Sequence, residues 1–307
     1  MSTDVALRRS KSKSLPPAVY FFTSALFHYL GPAFAVLLFA RVDVLGVAWL
    51  RIASAALIFA AWRKPWRAFR KLDGDGKRVL VAWGAVLAVM NACFYTAIDL
   101  LPLGTVAAIE FLPVIALAAL GARTPRNAAA LALAVPGVYL VTGVHVSTEP
   151  VGLAFAFVNA VLFALYIVLA DKVAKRPQLS GIDGLAAAML IAALVITPIG
   201  GWQALPAITA PTALLAGIGV GVSSSVIPYV ADQLALARLP RATYALMVSL
   251  LPATATVIGI VVLAQVPTIA EASGVALVIV GVALHRPEKP PAATPGLIAA
   301  GTRSTDP

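Results

Sequence analysis

LPLGTVAAIEFLP, residues Leu101–Pro113, opens an apolar run that continues to Ala122. Glu110 sits inside that run, with no water-facing stretch beside it. A carboxylate at membrane depth costs about 2.5–3.5 kcal/mol on insertion scales, so such acids mark substrate or ion pathways. Pro113 follows three residues later and withholds a backbone N–H, which predicts a helix break one turn from the acid. An acid beside a helix break in the bilayer is the build of a transporter site.

The rest of the chain agrees with that setting. It has 307 residues, of which 61% are apolar and 12% charged, against about 25% charged in soluble domains. This reads as an all-α integral membrane protein. The single cysteine, Cys93, lies in an apolar segment and gives no disulfide framework. Arg8, Arg9, Lys11 and Lys13 precede an apolar run too long for a signal sequence, so no cleavable signal peptide is expected.

Ten transmembrane helices of about 20 residues each are expected. They cover roughly 18–40, 44–62, 79–98, 103–122, 127–144, 150–170, 182–201, 211–235, 241–264 and 270–285. Residues 1–17 read as a basic disordered N-terminus, and 286–307 as a flexible Pro-rich tail. With the N-terminus inside, all 23 Lys and Arg except Arg41 and Arg51 fall in inner segments. That asymmetry places both termini in the cytoplasm and explains the net charge of +10 without nucleic acid.

The two halves echo each other. Leu101-Pro102 and Pro113 recur as Leu239-Pro240 and Pro252, and Gly137-Val138 as Gly281-Val282. The offset is about 140 residues, or five spans, so the second copy would insert upside down. The reading is two inverted five-helix repeats, 18–144 and 150–285, with a site between them near the midplane.

Helical rise, about 1.5 Å per residue, brings several polar groups to one depth. Arg51 on span two and Glu110 on span four each lie about seven residues from the outer boundary, and Asn91 and Asn159 reach the same level from spans three and six. Arg51 either pairs with Glu110, as a structural tie between spans two and four, or meets a substrate carboxylate with its planar fork. Asp232 is a second acid near the inner end of span eight, at the interface or in the site. Before it, SSSVIPY (Ser223–Tyr229) sets three hydroxyls beside Pro228. These serve backbone groups freed by the proline, or substrate. His28, Tyr29, Tyr95 and Tyr166 lie within spans, where packing competes with ligand contact, whereas Trp62 and Trp66 fit interfacial anchors. Asp99 reads as a solvated cap at the outer end of span three.

Enzyme signatures are absent. There is no G-x-x-x-x-G-K-[ST] loop, H-E-x-x-H pair or G-x-S-x-G elbow, and His28, His145 and His285 are far apart. No cofactor or metal is implied.

Several motifs resemble one family. They are Leu50-Arg51, KPWR at Lys64–Arg67, NACFYTAIDLLPLGTVAAIEFLP at Asn91–Pro113, GLAFAFVNAVLFALYIV at Gly152–Val168, and PYVADQLALARLPRATYALMVSLLP at Pro228–Pro252. Together they resemble the EamA family of the drug/metabolite transporter superfamily, and most closely its threonine/homoserine exporters, over about residues 18–285. The resemblance implies ten helices in two inverted repeats and export of small metabolites, often amino acids. It puts Glu110 at the family's intramembrane glutamate, Arg51 at its span-two arginine, and Asp232 where related exporters carry an acid. Two positions depart from the pattern. Leu251 stands where the exporters carry a glutamate before the span-nine proline, and Leu263-Ala264-Gln265 replaces their Leu-Gly-Glu.

The expectation is a secondary exporter in a bacterial cytoplasmic membrane, working by alternating access, with Glu110 carrying a proton that couples efflux to the proton gradient. The candidate substrate- and proton-binding residues are Glu110, Arg51, Asn91, Tyr95, Asn159, Tyr166, Asp232 and Tyr29, with Pro113, Pro228 and Pro252 as helix breaks. The alternatives are an importer or facilitator, and a membrane scaffold without turnover. Small-residue stretches such as Ala128–Ala134 allow close packing within one chain as easily as between two.

Overall fold

The computed structural model describes residues 17–121, 124–143, 148–176, 181–236 and 250–284. Every regular element among them is helical. The expected terminal tails, Leu239-Pro240, His145, His285 and the first half of the expected span nine lie outside the described residues.

The helices follow the apolar runs. They are α1 Pro17–Leu38, α2 Val44–Arg63, α3 Pro65–Lys71, α4 Gly74–Leu100, α5 Leu103–Gly121, α6 Pro125–Gly143 and α7 Pro150–Ala174. Next come α8 Gly181–Ile196, which runs into a wide π-helical turn at Thr197–Gly201, and the short α9 Leu205–Thr209. Then α10 Pro211–Gly221 passes through a second π-turn, Val222–Val226, into α11 Ile227–Leu236. The described part of the chain ends with α12 Leu251–Leu263 and α13 Ile269–Leu284. Five of these segments are long and apolar enough to cross a membrane: Val44–Arg63, Gly74–Leu100, Pro150–Ala174, Ile182–Gly201 and Pro211–Ala231. Phe22–Leu38, Leu103–Pro113, Leu251–Leu263 and Ile269–Leu284 are shorter apolar helices.

Three helices differ from expectation, and one of them, the short α9, falls between the expected spans 182–201 and 211–235. α4 begins at Gly74, well before residue 79, because Asp73 caps it. The Asp73 carboxylate accepts from the Gly76 N–H at 2.9 Å, and Asp75 sits in the positive first turn. α3 occupies a stretch read as a loop. Pro65 supplies its first turn, and Lys64 reverses the chain in the left-handed region at φ 51.

Small residues set the helix contacts. Gly137 on α6 and Gly274 on α13 lie face to face, since a Cβ on either would come within 2.8 Å of the other's carbonyl oxygen. Gly281 meets the Ala130 carbonyl oxygen and Ala134 in the same way. The Ala-rich start of α6 therefore packs against α13 of the same chain, as small-residue stripes do where lipid offers no hydrophobic drive. α4 packs along α7 and α8, and α1 along α11 and the second π-turn. Charged residues tie the polar edge. Arg63 meets Asp183 at 2.8 Å, and Arg176 bridges Asp73, at 2.8 Å, and Asp75.

Candidate functional site

The buried polar residues converge where α1, α2, α4, α5, α7 and α11 meet. Arg51, Asn91, Glu110 and Asn159 are all buried. All four line a cavity of about 60 Å³, room for a few water molecules. His28 and Pro32 close it from α1, Phe94 from α4, Phe163 and Tyr166 from α7, and Tyr229 from α11. Residues from both halves of the chain thus share one small, mixed polar and aromatic space.

Arg51 and Glu110 are not bonded to each other. The Arg51 guanidinium donates from Nη1 to Asn91 Oδ1 at 2.6 Å, from Nε to Ser225 Oγ at 3.1 Å, and from Nη2 to the Ser224 carbonyl oxygen at 3.2 Å. It also lies over the Tyr95 ring, 5.4 Å from the centroid. Asn91 is held in turn, donating from Nδ2 to the Leu87 carbonyl at 2.7 Å. A guanidinium carries five N–H donors in a planar fork, the arrangement that a carboxylate accepts in pairs. Glu110 is positioned separately. Its Oε1 accepts from Asn159 Nδ2 at 3.1 Å, the one hydrogen bond of this carboxylate among the described residues. The direct tie between spans two and four is replaced by two amide-held charges facing one cavity.

The second π-turn explains how Arg51 finds partners. Pro228 has no N–H for the carbonyl four residues earlier, which is that of Ser224. Arg51 takes that carbonyl instead. The Ser223 hydroxyl donates back to the Gly219 carbonyl at 2.8 Å, so it serves the backbone, while Ser225 serves Arg51. α1 presses directly on this turn. A Cβ on Gly31 would fall 2.7 Å from the Ser224 nitrogen. On the other side, a Cβ on Gly221 would meet the Arg51 carbonyl oxygen at 2.7 Å.

The remaining candidates separate. Tyr166 lines the cavity. Tyr95 and Tyr29 are fully buried, Tyr95 beneath the guanidinium and Tyr29 edge-on to His28 at 5.4 Å. Asp232 lies in α11, and its side chain is outside the described residues. Asp99 is exposed at the end of α4. The expected helix breaks also separate. α5 runs unbroken through Pro113, which removes one backbone N–H without ending the helix. Pro228 follows the π-turn, and Pro252 occupies the first turn of α12, where its missing N–H costs nothing.

Met90, Phe94, Phe163, Pro32 and His28 are cavity residues that were not candidates. Apolar and aromatic residues in spans carry no mark that separates a cavity wall from packing. Only His28 stood out in the sequence, as a polar ring at mid-span. Ser224 contributes a backbone carbonyl, which residue type does not reveal.

Among the described residues, the buried Asn159 Oδ1 beside Glu110 has no hydrogen-bond partner. Unpaired buried polar atoms are rare and mark places where water or a ligand completes the bonding. The set offers a cationic fork, a carboxylate and neutral acceptors around one space. It fits a small molecule carrying both charges. Among the described residues no group of His, Cys, Asp and Glu could hold a metal.

The EamA-like transporter family matches residues 150–285. "Threonine/homoserine exporter RhtA" of Escherichia coli (strain K12) is 34% identical over 241 residues, covering 78% of this chain and 80% of the relative. The protein of the same description from Salmonella typhimurium (strain LT2) gives the same figures. A solved crystal structure superposes with a TM-score of 0.60 at 19% identity, covering 87% of this chain and 95% of its own. It supports the fold alone.

Proposed function

The chain belongs to the EamA-like transporter family of the drug/metabolite transporter superfamily, and from that premise we propose that it exports small amino acids of the threonine and homoserine kind. Membership makes it a multi-pass membrane transporter and not an enzyme. The observation that carries the substrate reading is the paired but unbonded Arg51 and Glu110 on one cavity. The planar Arg51 guanidinium suits an α-carboxylate. Glu110 Oε2 and the unpartnered Asn159 Oδ1 suit an ammonium group. A hydroxylated side chain adds a donor that a neutral acceptor in the site can take.

The ten apolar segments form two inverted five-helix repeats in this reading, with both termini in the cytoplasm. Support comes from the cation asymmetry and from the glycine-faced pairing of α6 with α13, the last described helices of the two halves. The halves rock about the cavity to open it to each side in turn. Glu110 exchanges a proton for the substrate ammonium, so efflux draws on the proton gradient. The membrane is the bacterial cytoplasmic membrane.

The test is export of threonine and homoserine from loaded vesicles under an imposed proton gradient, wild type against Glu110→Gln. The expected result is export lost in the variant, with unchanged insertion and thermal stability. Gradient-driven export that survives the substitution removes Glu110 from coupling. Absence of export of either amino acid by the wild type removes the substrate assignment.

A further inference from the structure

A second cavity, about 550 Å³, lies apart from the polar one. It lies between α1 and α10, along Phe34, Leu37 and Leu38 on one side and Ala213, Ala216 and Val220 on the other. Phe34 and Leu37 are 44% and 57% exposed, so the cavity opens sideways toward the lipid. Its floor is Ser223, whose hydroxyl is turned to the carbonyls of Gly219 and Val220. Its rim is Arg41, which is exposed and whose side chain has no hydrogen bond or ion pair among the described residues. In the orientation proposed above, Arg41 is the only cation of the outer loops.

A polar metabolite has little to bind in this space. The hydroxyl at its floor is already used, and apart from Arg41 at the rim and Thr212 near the start of α10 the lining is hydrocarbon or glycine. A mainly apolar groove with a guanidinium at its rim matches an amphiphile: a hydrocarbon tail within and an anionic oxygen group at Arg41. The volume lies within the range of ligand sites, about 300–1,000 Å³. We propose that the α1–α10 groove seats one acyl chain of an anionic glycerophospholipid, with its phosphate on Arg41. The choice of the outer leaflet rests on the proposed orientation, whereas occupancy of the groove does not.

The site borders the transport machinery. Gly219 lines the groove. Ser223, at its floor, begins the run whose next two residues hold Arg51. A tail packed there braces the π-turn from the lipid side, as α1 braces it through Gly31.

Gly219 offers a clean probe, because a Cβ added there meets nothing within 4 Å. Gly219→Phe directs a ring from that open Cβ position into the groove and replaces a helical glycine. Arg41→Gln removes the charge at an exposed position. The full-length protein is exchanged into mild detergent with phosphatidylglycerol or phosphatidylethanolamine, and bound lipid is counted by native mass spectrometry. The expected result is one retained phosphatidylglycerol on the wild type. Retention falls about tenfold in Arg41→Gln and is lost in Gly219→Phe, while phosphatidylethanolamine is retained much less. Equal retention of the two lipids, retention unchanged in both variants, or no lipid retained by the wild type overturns the proposal. Lipid counting needs no transport, so failure of the export reading leaves this result standing on its own.

Discussion

Asn159 donates from Nδ2 to Glu110 Oε1 at 3.1 Å, while its own Oδ1 is buried without a protein partner. One amide thus orients the intramembrane carboxylate and presents an acceptor next to it. Asn159→Leu removes both. A hydrogen bond to a charged group contributes about 1.5–3 kcal/mol, or roughly tenfold to a hundredfold in affinity. The KM for threonine export should rise at least about tenfold, with expression unchanged. An unchanged KM in proteoliposomes would detach Asn159 from the substrate.

Arg51 tests geometry against charge. Arg51→Lys keeps the cation and replaces a planar fork already bonded on Nε, Nη1 and Nη2 by a point charge with three donors. Asn91, Ser225 and the Ser224 carbonyl cannot all be reached together with a substrate carboxylate. Export should fall by about tenfold or more, while Arg51→Lys stays folded better than Arg51→Leu. Wild-type kinetics in Arg51→Lys would reduce Arg51 to a source of positive charge.

The shared depth of Arg51, Asn91, Glu110 and Asn159 was legible in the sequence because helical rise converts residue number into height. Bonding was not. Sequence depth left Arg51 to pair with Glu110 or to meet a substrate carboxylate, and in the structure Arg51 bonds Asn91 while Glu110 bonds Asn159, because rotation about each helix axis depends on glycine contacts such as Gly221 against α2 and Gly31 against the π-turn. Prolines misled for a related reason. Pro113 removes one N–H inside an unbroken helix, whereas Pro228 frees a carbonyl that a neighbouring cation takes. The difference lies in what packs against the freed carbonyl, which a single sequence does not display.

That contrast gives a direct test. Pro228→Ala restores an N–H four residues after Ser224, which competes with Arg51 Nη2 for the same carbonyl. The helix should gain stability, since proline inside a helix costs about 3 kcal/mol relative to alanine. The guanidinium should lose one of its three anchors. A higher unfolding temperature together with a several-fold higher KM is expected. A variant that is more stable and transports normally would show that the carbonyl contact does not position Arg51.

The departures from the family pattern at residues 264 and 265 have a structural reading. Ala264 ends α12 in the left-handed region, φ 54 and ψ 28, where a glycine is at ease and a Cβ costs about 1 kcal/mol. Gln265 follows and uses Oε1 to accept the Leu103 N–H at 3.0 Å, capping the start of α5 from the other half of the chain. The amide oxygen therefore keeps an acceptor where the family carries a carboxylate. Ala264 is exposed, so Ala264→Gly removes little packing. It should raise the unfolding temperature in detergent by about one to three degrees, and Gln265→Ala should lower it by a similar amount. Stability that drops in Ala264→Gly would show that the turn is not held in the left-handed conformation.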